Sequence, residues 1–147
     1  MDNAVPHRCQ MILVEDSMID ARLLLTLISH QEIDIEVQHI IDGRSAYNHL
    51  KTLISEAPTE AIGRLVLLDL NLPNMSGKEI LKRLNAQGAT PTIPILVFSS
   101  SDNQVDKDEC LAMGAKNYYV KPWDLDGYQS FITGPFLREL REVCPCL

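Results

Sequence analysis

Residues 65–77 read Leu-Val-Leu-Leu-Asp-Leu-Asn-Leu-Pro-Asn-Met-Ser-Gly, an apolar run that ends in a carboxylate and a turn. Four consecutive aliphatic residues are typical of a strand that is buried on both faces of a parallel sheet. Pro73 and Gly77 then predict the end of the strand and a loop. Asp69 stands where open α/β sheets place their ligand sites. Because a buried carboxylate is costly unless it is paired or used, Asp69 is the first candidate for a functional residue.

The composition is that of one soluble globular domain. The chain has 147 residues, of which 46% are hydrophobic and 22% are charged, and this length suffices for one core but not for two ordinary domains. The net charge of −7 argues against a nucleic-acid-binding surface and has the wrong sign for anionic membranes. No apolar run has spanning or signal-peptide character. We therefore predict a cytoplasmic protein with one domain over residues 8–143, short tails at 1–7 and 144–147, and no output domain.

The four cysteines, at positions 9, 110, 144 and 146, follow no recognisable disulfide or zinc-binding pattern. In a reducing cytosol, cysteines without such a pattern are expected to be free thiols. The sequence therefore predicts four reduced cysteines.

Strand-like apolar runs alternate with helical patterns along the chain. We predict strands at residues 11–14, 35–41, 65–69, 95–98 and 117–120. Helices are predicted from Ser17, over 44–55, 78–86 and 102–113, and from 124 to 143 with an interruption at Gly134-Pro135. Residues 56–63 read as a solvated connection, and residues 90–94 as an extended approach to the fourth strand. This alternation predicts an α/β fold with a five-stranded parallel sheet and right-handed crossovers.

Polar side chains follow four of the five predicted strands. Glu15 and Asp16 follow the first strand, Asp69 ends the third, Ser99 follows the fourth and Lys121 the fifth. Because the carboxyl ends of parallel strands share one edge of the sheet, these groups should converge. Carboxylates so close together repel one another and require a cation, and an all-oxygen ligand set favours Mg²⁺.

Acids, a divalent cation, a lysine and a hydroxyl are the components needed to transfer a phosphoryl group to a carboxylate. The cation would neutralise the attacking Asp69 and the incoming group together. Lys121 and Ser99 would hold the remaining phosphoryl oxygens. The sequence therefore predicts an aspartyl phosphate, whose ready hydrolysis suits a timed signal.

Over about residues 8–140, the chain resembles the receiver domain of response regulators, the CheY-like phosphoacceptors of two-component signalling. The motifs that carry the resemblance are Glu15-Asp16, the loop from Asp69 to Gly77, residues 94–99, Gly114-Ala115, and Tyr118 with Lys121-Pro122. The resemblance implies a doubly wound (βα)5 fold of the flavodoxin/CheY-like type, with strand order 2-1-3-4-5.

The resemblance also implies roles for individual residues. Asp69 would be the phosphoacceptor. Asp16, Asp69 and the backbone carbonyl of Asn71 would bind Mg²⁺, with Glu15 acting through water.

Two further residues would report on the phosphoryl group in such a domain. Ser99 would be the switch hydroxyl, and Tyr118 the ring that changes rotamer with it. The peptide bond before Pro122 would be cis and would help to place Lys121.

The partners implied are a sensor histidine kinase and an unidentified downstream protein. Length and architecture also resemble stand-alone regulators paired with bacterial phytochromes. We further predict a homodimer through the helix 4–strand 5–helix 5 face and the C-terminal segment. That segment owes its apolar character to Tyr128, Phe131, Phe136, Leu137 and Leu140.

Other functions are also compatible with the sequence. The chain could be a phosphorelay shuttle, or a pseudo-receiver that binds partners without phosphorylation. A haloacid-dehalogenase-type phosphatase would need an aspartate where Asn71 stands, and a cap domain. We therefore expect a self-phosphorylating acceptor that also loses its own phosphoryl group, and not a stand-alone enzyme. Trp123 is expected to pack, and the histidines, His39 among them, to be solvated or edge residues.

Overall fold

The computed structural model describes residues 8–56, 61–87 and 93–147. The strands are β1 Arg8–Val14, β2 Glu36–Ile40, β3 Ile62–Leu68, β4 Ile95–Ser99 and β5 Asn117–Val120. The helices are α1 Met18–Ser29, α2 Gly43–Ser55, α3 Gly77–Ala86, α4 Gln104–Ala112, α5 Leu125–Phe131, a π-helical turn Ile132–Phe136, and α6 Leu137–Val143. All strands are parallel, in the order β2-β1-β3-β4-β5. The predicted fold class and strand order are confirmed.

The sheet is buried on both faces because side chains of a strand alternate between them. In β1, Met11 and Leu13 belong to one apolar cluster, and Ile12 and Val14 to the other. One cluster lies between the sheet and α2 and α3, and the other between the sheet and α1, α5 and α6. This double cover explains why the central strands read as unbroken apolar runs.

Two strands begin earlier than the sequence predicted. β1 starts at Arg8 and β3 at Ile62, and these residues pair with each other in the sheet. Their apolar pattern is weak, so strand pairing and not hydrophobic periodicity extends them. Residues 57–60 of the predicted connection, and residues 88–92 around the predicted end of α3 and the approach to β4, lie outside the described part of the chain.

Short polar side chains cap the N-termini of helices α1 to α5. Ser17 accepts a hydrogen bond from the Asp20 N–H, and Ser76 from the Glu79 N–H. Helix α4 begins later than predicted, because Asn103 and not Asp102 caps it. Gly114 follows α4 with a φ of 100°, the left-handed conformation that ends helices.

The α-helical pattern of the last helix is interrupted around Gly134-Pro135, as predicted, but by a π-helical turn and not by a break in the helix. Helix α5 runs through the π-helical turn into α6, and both junction residues, Phe131 and Leu137, keep right-handed helical backbone angles. Proline lacks an N–H and its ring clashes with the carbonyl four residues earlier. A wider π turn accommodates both defects without ending the helix.

Cys9 and Cys144 form a disulfide, which contradicts the prediction of four reduced thiols. Their Cα atoms lie 6.0 Å apart and both residues are buried. The continuous last helix returns Cys144 to the start of β1, a closeness that spacing along the chain does not reveal. Gly63 makes room for this approach, since a Cβ there would lie 2.2 Å from the Val143 carbonyl oxygen.

The apolar side chains of the C-terminal segment pack in the hydrophobic core of the domain. Five residues that the sequence assigned to a dimer surface are instead buried against the sheet: Tyr128, Phe131, Phe136, Leu137 and Leu140. The reason for that assignment is therefore wrong. In residues 8–56, 61–87 and 93–147, no helix is both long and apolar enough to cross a membrane.

Candidate functional site

Three carboxylates meet at the carboxyl end of the sheet. Oxygens of Glu15, Asp16 and Asp69 lie within 4.8 Å of one another. The pairing of β1 with β3 sets this geometry, since the Asp69 N–H donates to the Val14 carbonyl at 3.0 Å. Glu15 and Asp69 are buried, whereas Asp16 is exposed. The predicted convergence of the first and third strand ends is therefore observed.

Lys121 lies among these acids. Its Nζ is 2.6 Å from Glu15, 3.1 Å from Asp69 and 3.0 Å from Asp20. Its backbone N–H donates to the Ser99 carbonyl at 2.7 Å, which continues the pairing of β4 with β5. A single ammonium group thus faces more than one negative charge, and the site keeps an excess of negative charge.

Asp20 was not predicted to belong to this site, because the sequence indicated only an acid in the first turn of α1. It lies in the first turn of α1, whereas Asp16 precedes the N-cap Ser17 and is not helical, so helical spacing does not relate the two residues. The contact of Asp20 with Lys121, 101 positions away in the chain, depends on the tertiary fold, and the sequence carries no signal for it.

The pKa values reflect the crowded charges. Burial, together with a hydrogen bond to Asp69, raises the pKa of Glu15 to about 7 despite the opposing effect of Lys121. Burial alone would lower the pKa of Lys121, but its hydrogen bond with Glu15 and the charge of Asp69 outweigh burial and raise it. Without another cation, Glu15 is therefore partly protonated near neutral pH.

The ligand set suits a hard divalent cation. All three clustered groups offer carboxylate oxygens. Mg²⁺ and Mn²⁺ prefer oxygen ligands, whereas softer metals prefer sulfur or nitrogen ligands. The raised pKa of Glu15 is consistent with this, because burial beside Asp69 disfavours a second uncompensated negative charge, which a cation would compensate.

The loop after Asp69 folds back over that residue. The Asn71 N–H donates to Asp69 Oδ1 at 3.3 Å, and the Gly77 N–H donates to the Leu70 carbonyl at 2.9 Å. A Cβ at position 77 would lie 2.4 Å from the Asp69 carbonyl oxygen, so only glycine permits this closure. The ligand role of the Asn71 carbonyl stays a prediction.

The two predicted switch residues meet through a third residue. Ser99 is fully buried, and its Oγ accepts a hydrogen bond from the Ser101 N–H at 3.2 Å. The Tyr118 hydroxyl donates to the Ser101 carbonyl at 2.7 Å. Sequence reasoning did not single out Ser101, because this contact depends on how the β4–α4 loop folds.

His39 also belongs to the surroundings of the acids. It lies on the edge strand β2, as predicted, but it is not simply solvated, because its Nε2 donates to the backbone carbonyl of Glu15 at 2.7 Å. The contact follows from the pairing of β1 with β2, in which Leu13 is opposite His39.

Two expectations near Lys121 are wrong. Trp123 does not pack, because 95% of its surface is exposed. The Lys121–Pro122 peptide bond is trans, as are all peptide bonds of residues 8–56, 61–87 and 93–147. Lys121 reaches the acids without the cis bond, since the backbone contact with Ser99 already fixes its position.

A comparison with known families agrees with this geometry. The sequence pattern of the response regulator receiver domain matches residues 11–132. The chain belongs to this family. It is 30% identical over 123 residues to the response regulator Rcp1 of Synechocystis sp., covering 84% of this chain and 83% of Rcp1.

A second relative is longer than this receiver domain. The response regulator ArlR of Staphylococcus saprophyticus is 30% identical over 130 residues, which is 88% of this chain but 53% of ArlR. The chain thus spans about half the length of that relative.

Solved structures show the same fold. A response regulator receiver domain from Rhodospirillum rubrum superposes with a TM-score of 0.75 at 29% identity, covering 88% of this chain and 94% of the other. The phosphorylated cyanobacterial phytochrome response regulator RcpA gives 0.73 at 27%, with coverages of 87% and 91%. The Mn²⁺-bound form of Rcp1 gives 0.68 at 29%, with coverages of 85% and 92%.

Proposed function

We propose that this receiver domain accepts a phosphoryl group on Asp69 from a histidine kinase, with Mg²⁺ as cofactor, and signals through protein contacts. The observation that carries the proposal is the placement of Lys121 against Asp69 inside a cluster of three further acids. A structural ion pair needs one acid for one lysine, whereas this excess of acids suits a site that also takes a metal ion.

The residues divide the work of the transfer. A carboxylate oxygen of Asp69 attacks the phosphorus of a phosphohistidine, and the N–P bond breaks as the O–P bond forms. Asp69 loses its negative charge in the transfer, and Lys121 then pairs with a phosphoryl oxygen instead. The Ser99 hydroxyl donates a hydrogen bond to a second phosphoryl oxygen. The Asn71 N–H holds the other oxygen of Asp69.

Asp16, Asp69 and the Asn71 carbonyl would hold Mg²⁺, with Glu15 acting through water. The ion would neutralise the carboxylate and the phosphoryl group together. Tyr118 would then follow Ser99, since both contact Ser101.

The donor is proposed to be a phytochrome-type kinase in the cytoplasm. The similarity to Rcp1 and to the phytochrome response regulator RcpA supports this choice. The domain is proposed to cover residues 8–143. The net charge of −7 argues against direct contact with nucleic acid or an anionic membrane.

The output is proposed to pass through the α4–β5–α5 face, to a downstream protein or to a second copy of the chain. Large apolar side chains are exposed there, at Val105, Leu111, Val120 and Leu125. These residues replace the buried C-terminal side chains as the proposed dimer surface. Sedimentation equilibrium tests the dimer: a monomer at high concentration, with and without phosphorylation, would contradict it.

Labelling by acetyl phosphate tests the acceptor. We expect incorporation that requires Mg²⁺ and is abolished in Asp69→Asn, because the amide is a poor nucleophile. Asp34→Asn changes an exposed aspartate outside the site and is the matched control. Undiminished labelling of Asp69→Asn would refute the proposal.

A further inference from the structure

A second charged cluster joins the first turn of α3 to the first two turns of α4. Lys78 Nζ contacts Asp106 Oδ1, and lies 2.9 Å from Glu109 Oε2. The other oxygen of Asp106 accepts a hydrogen bond from Ser101 Oγ at 2.5 Å. The pairing raises the pKa of Lys78 and lowers that of Asp106, so both groups stay charged at neutral pH.

This cluster reaches the phosphoacceptor site through Ser101. The backbone N–H of Ser101 holds the Ser99 hydroxyl, and its carbonyl holds the Tyr118 hydroxyl. A cleft of about 200 Å³ is lined by Asn71 and Ser99 as well as by Lys78, Ser101 and Asp106. Asn71 follows the acceptor by two residues and bonds to its side chain. The Lys78–Asp106 pair thus forms one wall of a cleft beside Asp69.

We propose that Lys78 is a positioning residue that sets the lifetime of the phosphoryl group: through Asp106 and Ser101 it braces the loop carrying Ser99 and narrows the path of water. This inference rests on the proposed function. In the reaction concerned, a water oxygen bonds to phosphorus and the bond from phosphorus to the Asp69 oxygen breaks. Inorganic phosphate leaves and a proton passes to solvent.

A brace and a simple field effect predict different outcomes. Replacing Lys78 with methionine makes the cleft more negative, whereas replacing Asp106 with asparagine makes it less negative. If only the electric field mattered, the two substitutions would change the lifetime in opposite directions. If the pair braces the loop, both substitutions shorten it.

The experiment measures how fast phosphoryl groups are lost after acetyl phosphate is removed, at saturating Mg²⁺. We expect Lys78→Met and Asp106→Asn each to speed the loss by about two- to fivefold, the range typical of a partly exposed ion pair. The double variant should lose its label no faster than the faster single variant, because both remove the same interaction. Lys78→Arg, which can still bridge the acids, should keep a lifetime close to that of the wild type.

Lys82→Met is the matched control, since Lys82 is exposed on the same helix and does not line the cleft. Equal decay rates in Lys78→Met and wild type, opposite effects of the two single variants, or an equal effect of Lys82→Met would each overturn the inference. Wild-type protein that takes no label would instead refute the proposed function. If Lys78→Met fails to fold, Asp106→Asn and Lys78→Arg test the same claim.

Discussion

At the scale of single residues, the acids of the site are chemically similar but differ in burial and in their hydrogen-bond partners. Glu15 is buried beside Asp69 and binds a proton readily, whereas Asp16 is exposed at the rim. Lys121 joins Glu15, Asp20 and Asp69 and keeps its charge. Asp69 is therefore held by a cation on one oxygen and by the Asn71 N–H on the other.

The metal-free protein should lose stability as the pH rises toward neutrality. The pKa of Glu15, about 7 in the folded protein, lies above its ordinary value of 4.5. Between these values the folded state binds more protons than the unfolded state, so the free energy of unfolding falls as the pH rises and levels off above 7. Thermal melts in a chelator measure this slope.

Glu15→Gln should flatten the slope, because the amide stays neutral at every pH. Asp34→Asn should keep it, since that residue lies outside the site. A wild-type melting temperature that rises from pH 5 to pH 7 would contradict the assignment of the shifted group.

At the scale of elements, the sequence predicts what local chemistry decides. The apolar run of β3 and the N-cap at Ser17 appear where expected, because burial and capping act over a few residues. The sequence did not predict the contacts of Asp20, His39 and Ser101. These contacts depend on strand register and on how loops fold in the complete structure. The sequence did not predict that the last helix continues past Pro135, because a proline alone does not distinguish a break in a helix from a π turn.

The Cys9–Cys144 disulfide should stabilise the attachment of the last helix to β1. It closes a loop with a sequence separation of 135 residues, for which chain-entropy arguments give roughly 4–5 kcal/mol. We expect a reductant to lower the melting temperature of the wild type. Cys9→Ser should melt low from the start and show no further fall. A melting temperature insensitive to reductant in the wild type would contradict this prediction.

At the scale of the whole molecule, the doubly wound sheet brings residues far apart in sequence to one edge. Lys121 contacts Asp20 across 101 positions of the chain and Asp69 across 52. The acidic cluster that we propose as the metal site therefore exists only in the folded state. Binding that requires the folded state must stabilise it.

Magnesium should raise the melting temperature. At ten times the dissociation constant the gain is about 1.4 kcal/mol, which corresponds to roughly 3–6 °C for a chain of this size. Asp16→Asn should lose most of the shift, because it removes a ligand at the rim without disturbing the buried Lys121 contacts. A melt indifferent to millimolar Mg²⁺ would count against the metal site.

Phosphorylation of Asp69 can be measured by locating the phosphoryl group chemically. Protein treated with acetyl phosphate and Mg²⁺ is reduced with borohydride, which converts an aspartyl phosphate to homoserine, and is then digested and sequenced by mass spectrometry. We predict homoserine at position 69 and at no other aspartate. Homoserine at Asp16 or Asp20, or none at all in protein that has taken up label, would contradict the account.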